Sequence, residues 1–160
     1  MSKIKQFLND NNNILVFDVD GVLAPLEYAD YNHYLLDDEA WTKMLEEGGN
    51  PYKNLKPFTK MQKYISTKDI NNIYVASRIM NEEESKSKTS FLVNNYNIKK
   101  ENIYTVYNNE DKLKVLNKIK EDNNLSEESI GIIDDTVEVL NHVMNNSKYR
   151  TIHISTFLDM

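Results

Sequence analysis

Short runs of apolar residues, each bounded by polar residues, recur along this chain. Five of them lie at residues 14–17, 73–76, 103–107, 130–133 and 151–154. The runs are continuous rather than alternating, and β-branched side chains are frequent in them. This pattern predicts short strands that are buried on both faces of a sheet.

Segments with helical periodicity lie between the apolar runs. Leu92 and Tyr96 follow a polar opening at residues 82–90, and apolar stripes recur within residues 113–119 and 137–143. Strands that alternate with helices are typical of a parallel sheet with helices on both sides. The sequence therefore predicts an α/β protein, a three-layer Rossmann-like sandwich around a mostly parallel five-stranded sheet.

Residues 26–68 interrupt this alternation. The segment is rich in aromatic residues and contains two adjacent glycines and two prolines. A helix is predicted over residues 37–47, ending at the glycines, and a second one around residues 58–65. The sequence shows neither a repeat nor a flexible linker. We therefore expect a single domain over residues 1–160, with a small insertion after the first strand.

Composition and charge limit the partners of this domain. The 160 residues include 19 basic and 25 acidic side chains, and the formal net charge is −6. This balance argues against a broad nucleic-acid-binding surface and against binding to an anionic membrane, although it allows a local basic groove. The chain has no cysteine, which excludes disulfides and thiolate chemistry. Without a long apolar stretch or a secretory signal, a soluble, cytoplasmic protein is expected.

Pairs of acidic residues follow two of the predicted strands. Asp18 and Asp20 end the first strand, and Asp134 and Asp135 end the fourth. One Asp-x-Asp by itself fits a solvated turn as well as it fits a binding site. A second acidic pair after another strand favours a site, because ligands of parallel sheets bind at the carboxyl ends of strands. Two carboxylates about 4 Å apart repel by roughly 4 kcal/mol at an effective dielectric near 20. Such a cluster requires a protonated carboxyl or a cation, and oxygen ligands favour Mg²⁺.

Candidate phosphate ligands lie at the second strand and at a later helix. Ser77 ends the second strand. A helix predicted to begin near Asn109 places Lys112 on its inward stripe and Lys114 toward solvent. Lys112 either has an acidic partner at the strand ends or extends along the surface to water.

Two further features each allow two interpretations. Arg78 either binds a second phosphate or a substrate carboxylate, or forms an ion pair with the glutamates at residues 82–84. The aromatic residues of the insertion either flank the site entrance, where they would stack on a base or sugar, or pack the insertion against the core. The second interpretation is favoured for these aromatics, which are Tyr28, Tyr31, Tyr34 and Trp41.

Taken in order, these segments resemble the haloacid dehalogenase (HAD) superfamily of phosphohydrolases. The first motif of that family, a strand followed by Asp-x-Asp, matches LVFDVDGV at residues 15–22. The second motif, a Ser or Thr at a strand end, matches residues 73–77, and the lysine of the third matches Lys112. The fourth motif, a strand ending in paired acids, matches residues 131–135. The resemblance covers nearly the whole chain apart from residues 26–68.

The resemblance implies a phosphatase mechanism for four of these residues. Asp18 is the expected nucleophile, which forms an aspartyl-phosphate. Asp20 is the expected general acid and base, and an acid at this position distinguishes phosphatase-type members from dehalogenases and P-type ATPases. Ser77 and Lys112 are expected to bind phosphoryl oxygens.

The resemblance also implies a Mg²⁺ site. The expected ligands are the Asp18 carboxylate, the Asp20 backbone carbonyl and one acid of the second pair. Asp135 is favoured as that acid, with Asp134 orienting Lys112, and the opposite assignment stays open.

The short insertion implies a minimal cap and an open site. We therefore predict a Mg²⁺-dependent phosphomonoester hydrolase whose substrate is a small phosphorylated metabolite or a nucleotide. One alternative is a phosphatase acting on polynucleotide 3′ ends, against which the acidic composition counts weakly. Another is a non-catalytic HAD-like module that binds phosphate or has a regulatory role.

Overall fold

The computed structural model of this protein describes residues 2–25 and 37–160, and five strands in these ranges form one sheet. All neighbouring strands are parallel, in the order β3-β2-β1-β4-β5. The predicted strands are confirmed: β1 has the predicted bounds, and the other four have an end shifted by one or two residues. The strands are β1 (Ile14–Phe17), β2 (Ile73–Arg78), β3 (Ile103–Val106), β4 (Ile130–Asp134) and β5 (Arg150–His153).

Six α-helices lie within the same described ranges. They are α1 (Lys3–Asn9), α2 (Asp38–Glu46), α3 (Thr59–Ile65), α4 (Glu82–Tyr96), α5 (Lys112–Asn123) and α6 (Val137–Asn146). None of these helices is both long and apolar enough to span a membrane. The two helices predicted within the insertion are confirmed as α2 and α3.

The ends of α4 illustrate how local sequence sets the helix bounds. The Asn81 side chain accepts a hydrogen bond from the backbone N–H of Glu84 at 3.0 Å, which caps the first turn. Three glutamates occupy that turn, where negative charge interacts favourably with the helix dipole. The helix ends at Asn97, which adopts the left-handed conformation with φ of 55°.

The alternating faces of β1 pack against two different helix layers. Leu15 and Phe17 belong to an apolar cluster that includes side chains of α1, α3 and α4. Ile14 and Val16 belong to a second cluster, which includes side chains of α5 and α6. The predicted three-layer arrangement is therefore confirmed. Since β1 is buried on both sides, a polar group directly after it lies at the carboxyl edge of the sheet, between the two helix layers.

Three details of the sequence prediction are wrong or incomplete. Helix α1 was not predicted, because it is short and buries only Leu8 completely. The helix expected near Asn109 begins with a 3-10 turn, so α5 itself starts at Lys112. Val137, expected on the inward stripe of α6, is 53% exposed, and Val139 is buried in its place.

The order of the strands creates a crevice beside β1. The chain runs from β1 to β2 and β3 on one side, and then to β4 and β5 on the other. The connections after β1 and β4 therefore diverge at the carboxyl end of the sheet, which is where ligands bind in open α/β sheets. The described part of the insertion, residues 37–68, contains α2 and α3. Tyr28, Tyr31 and Tyr34 lie outside the described residues, and the single-domain organisation stays a prediction.

Helix α1 packs closely over β4 at a glycine, which gives a testable prediction for the fold. A Cβ at Gly131 would lie 2.6 Å from Cε1 of Phe7. We expect Gly131→Ala to lower the free energy of unfolding by about 1–3 kcal/mol, measured by urea denaturation. In a Phe7→Ala background the same change should cost clearly less, because the ring is gone. Equal losses in the two backgrounds would contradict this packing.

Candidate active site

The backbone after β1 turns sharply and brings two carboxylates to the crevice. The N–H of Asp18 donates to the carbonyl of Ile133 at 2.9 Å, so the pairing with β4 extends through this residue. Asp20 then forms an isolated bridge with Ala24, and Gly21 between them has φ of +75°. Side-chain-bearing residues rarely adopt that backbone conformation, which explains a glycine directly after the Asp-x-Asp.

Lys112 lies between the two acidic strand ends. Its side chain is buried, with 2% exposed, and its Nζ lies 2.8 Å from Oδ2 of Asp134 and 3.2 Å from Oδ1 of Asp18. Burial by itself would lower the pKa of Lys112, but the two carboxylates outweigh it and the pKa is raised. Of the two alternatives for Lys112, the acidic partner is confirmed. Lys114 points to solvent as predicted, with its side chain 81% exposed and paired with Asp111.

The two acids after β4 have different surroundings. Both oxygens of Asp134 are engaged: Oδ2 accepts from Lys112, and Oδ1 accepts from the backbone N–H of Thr136 at 2.9 Å. Asp135 is only half-buried, and its Oδ1 accepts from the Thr136 hydroxyl at 3.2 Å. A Cβ on Gly21 would lie only 2.2 Å from Oδ2 of Asp135. Because glycine has no side chain, it leaves room for this carboxylate.

Three carboxylates meet closely enough to share a cation. Asp18, Asp134 and Asp135 each offer one oxygen, and these oxygens lie within 4.8 Å of one another. Burial raises the pKa of Asp18, and Asp134 acts in the same direction while Lys112 opposes it. Burial, followed by the charge of Asp18, also raises the pKa of Asp135. An all-oxygen set with uncompensated negative charge fits a hard divalent cation such as Mg²⁺.

A second buried lysine, Lys88 of α4, was missed from the sequence. Its side chain is buried, with 1% exposed. In the sequence, residues 82–90 indicate only the polar beginning of a helix. The signal was present, because Lys88 stands four residues from both Glu84 and the buried Leu92, on one helix face. Its Nζ contacts four oxygens: Asp20 Oδ2 at 2.8 Å, Glu84 Oε1 at 2.9 Å, Ser77 Oγ at 3.2 Å and the Arg78 carbonyl at 2.5 Å.

The insertion contributes a side chain to the site. Tyr52 is 3% exposed, and its hydroxyl donates to Oδ1 of Asp20 at 2.7 Å. The ring of Trp41 packs edge-on against Tyr52 with centroids 6.4 Å apart, and Phe91 of α4 lies on it at 6.1 Å. For Trp41, the interpretation as a packing residue is confirmed. No sequence signal marked Tyr52, because it contacts Asp20 across 32 positions of chain.

Arg78 forms an ion pair, but with a different partner from the one considered. Its guanidinium contacts Oδ2 of Asp38 on α2 at 2.5 Å. Of the glutamates at 82–84, Glu83 pairs with Lys86 and Glu84 with Lys88. The pair with Asp38 links the end of β2 to the insertion.

The structure thus brings six of the seven predicted site residues into two neighbouring networks around the carboxyl ends of β1, β2 and β4. Asp18, Lys112, Asp134 and Asp135 form one of them, and Asp20 and Ser77 meet at Lys88 in the other. The Arg78 side chain instead binds α2 at the margin of these networks.

Solved structures of other proteins have the same fold as this chain. A haloacid dehalogenase-like family protein from Streptococcus pneumoniae, described as a hydrolase, aligns with a TM-score of 0.56 at 10% identity, over 88% of this chain and 83% of that one. A haloacid dehalogenase-like hydrolase from Xanthomonas campestris aligns with a TM-score of 0.50 at 9% identity, over 80% and 76%. No protein-family model and no curated protein sequence matches this chain. At these identities the likeness establishes the fold.

The carboxylate cluster predicts that a divalent cation stabilises the protein. We expect Mg²⁺ to raise the melting temperature by roughly 5–10 °C at about one hundred times its dissociation constant, equivalent to about 2.7 kcal/mol. Asp135→Asn should raise the melting temperature without Mg²⁺, because it removes a like charge, and should reduce the Mg²⁺-induced increase. Differential scanning calorimetry with and without EDTA measures both effects.

A matched control comes from a carboxylate outside the cluster. Asp122 is exposed and pairs with Lys118 on α5. Asp122→Asn should keep the full Mg²⁺ effect. An Asp135→Asn protein that still gains the wild-type increase would contradict the assignment of this cluster as the cation site.

Proposed function

This chain has the fold of the haloacid dehalogenase-like hydrolases, and we propose that it is a Mg²⁺-dependent phosphomonoester hydrolase. The observation that carries the proposal is the position of Asp18. Its carboxylate lies within 4.8 Å of two further acids and 3.2 Å from the buried ammonium of Lys112. A nucleophilic carboxylate beside a cation site and a fixed positive charge is suited to attack on a phosphoryl group, which carries negative charge itself.

In the proposed reaction, Asp18 attacks phosphorus and the bond to the ester oxygen breaks. Asp20 donates a proton to the leaving oxygen, and an aspartyl-phosphate forms on Asp18. Asp20 then takes a proton from water, which attacks phosphorus and releases inorganic phosphate. The two carboxylates emerge from one short turn after β1, so a single backbone segment places both groups on the same substrate.

The residues proposed to hold Mg²⁺ are Asp18 through its carboxylate, Asp20 through its backbone carbonyl, and Asp135. When bound, the ion would neutralise phosphoryl charge and that of the carboxylates. Asp135 is preferred to Asp134 because it is half-buried, whereas both oxygens of Asp134 already accept hydrogen bonds. Asp134 is then the residue that orients Lys112.

Lys112 and Ser77 are proposed to bind phosphoryl oxygens. Lys112 comes from the start of α5, and its pKa is raised, which keeps the ammonium charged. Arg78 follows Ser77 at the end of β2, and its ion pair with Asp38 would have to open for Arg78 to bind a second phosphate or a substrate carboxylate.

A small phosphorylated metabolite or a nucleotide is the proposed substrate class. The net charge of −6 disfavours extended contact with a polyanion. A 3′-phosphorylated oligonucleotide is the alternative substrate, because the short length of the insertion predicts an open site. Phosphate release from mononucleotides and sugar phosphates, compared with release from such oligonucleotides, discriminates between the two.

Replacement of the nucleophile tests the proposed function directly. Asp18→Asn should lower Mg²⁺-dependent hydrolysis of p-nitrophenyl phosphate by about 10³-fold or more, because the amide cannot form the acyl-phosphate. Release of p-nitrophenolate measures the rate, and EDTA should abolish the wild-type activity. Asp122→Asn serves as the control and should retain full activity. Turnover by Asp18→Asn at the wild-type rate would contradict the proposal.

A further inference from the structure

Lys88 is buried at the site, yet the proposed mechanism gives it no role. It contacts Asp20, the proposed general acid, and Ser77, a proposed phosphate ligand, at 2.8 and 3.2 Å. We propose that Lys88, held in place by Glu84, is a positioning residue that fixes the Asp20 carboxylate on the leaving-group side of the site. The inference rests on the proposed function and assigns a role to a residue outside the motifs that suggested it.

The number of acceptors around Lys88 argues against direct substrate binding. An ammonium carries three N–H donors, and four protein oxygens lie within 3.2 Å of this one. Its donors are therefore already committed to the protein. A phosphoryl oxygen could bind Lys88 only by displacing Asp20, Glu84 or the Arg78 carbonyl. The lysine thus acts through its neighbours, of which Asp20 is the one with proposed chemistry.

Glu84 anchors the lysine. Its Oε1 lies 2.9 Å from Nζ of Lys88, one helical turn away on α4, and its Oε2 accepts from the backbone N–H of Met80 at 2.7 Å. Both Glu84 and Lys88 are buried, so neither charged group has water as an alternative partner. The pair is therefore held in one geometry, and the Lys88 ammonium has a fixed position beside Asp20.

Asp20 is held from two sides. Lys88 contacts its Oδ2, and the hydroxyl of Tyr52 donates to its Oδ1 at 2.7 Å. Two fixed donors on the two oxygens restrict the rotation of the carboxyl plane. General acid catalysis requires the acid within hydrogen-bond reach of the leaving oxygen, so this restriction bears on the step in which the P–O bond breaks.

A series of leaving groups tests the inference. Protonation by Asp20 matters for a poor leaving group such as phenolate, and little for 2,4-dinitrophenolate, which leaves as the anion. We expect Lys88→Met to lower kcat/KM, which reports the step that breaks the P–O bond, by about 100-fold for phenyl phosphate and by about tenfold or less for 2,4-dinitrophenyl phosphate. The logarithm of kcat/KM should therefore depend more steeply on leaving-group pKa than in the wild type. Lys86→Met, on the same helix but exposed and paired with Glu83, should leave the series unchanged.

Lys88→Met leaves the buried Glu84 carboxylate without its ion-pair partner, which destabilises the fold. Two further variants test the inference without this defect. Glu84→Gln/Lys88→Met removes both charges of the pair and should show the same steepened dependence. Tyr52→Phe keeps the ion pair and removes only the second contact to Asp20, so it should steepen the dependence in the same direction by a smaller factor.

The outcomes distinguish this inference from the function on which it rests. A wild-type protein that hydrolyses none of these esters overturns the proposed function, and the role of Lys88 with it. A wild type that is active and Asp18-dependent, with Lys88 and Tyr52 variants whose kcat/KM falls by the same factor on every ester, overturns the positioning role alone. In that case the lysine is a structural element of the site.

Discussion

The repulsion among the carboxylates of the crevice is the constraint on which the site depends. Asp18, Asp20, Glu84, Asp134 and Asp135 converge at the carboxyl edge of the sheet, and two buried lysines lie between them. When all these groups are ionised, the carboxylates outnumber the ammonium groups by three. Charges buried in this way persist only with counter-charges in fixed positions, so the two lysines and a place for a cation are parts of one arrangement.

The two lysines reach this cluster from opposite faces of the sheet. Lys88 comes from α4, which packs on one side of β1, and Lys112 comes from α5, which packs on the other. Each contacts one of the two acids after β1: Lys88 contacts Asp20, and Lys112 contacts Asp18. In the three-layer fold, each of these two carboxylates therefore pairs with a lysine from a different helix layer. This division matches the separate roles proposed for nucleophile and general acid.

The insertion is tied to the site by polar contacts at two places. Tyr52 donates to Asp20, and Asp38 of α2 binds Arg78 at the end of β2. Around Tyr52 the packing is aromatic, with Trp41 and Phe91 against its ring. The described part of the insertion therefore supplies a hydrogen-bond donor to the site as well as apolar cover. A change in this segment would alter the position of Asp20 along with the surface of the protein.

The sequence by itself determined the layers, the strand segments and the residues that carry the proposed chemistry. Apolar runs reveal buried strands, and acids placed directly after them must lie at the sheet edge, so Asp18, Asp134 and the inward-facing Lys112 follow from local pattern alone. Only the tertiary structure decided that Lys88 and Tyr52 contact Asp20, and that Arg78 pairs with Asp38. Those contacts join segments far apart in the chain, or depend on which polar residue of an amphipathic helix is buried. Periodicity specifies the face of a helix, but only packing specifies what that face meets.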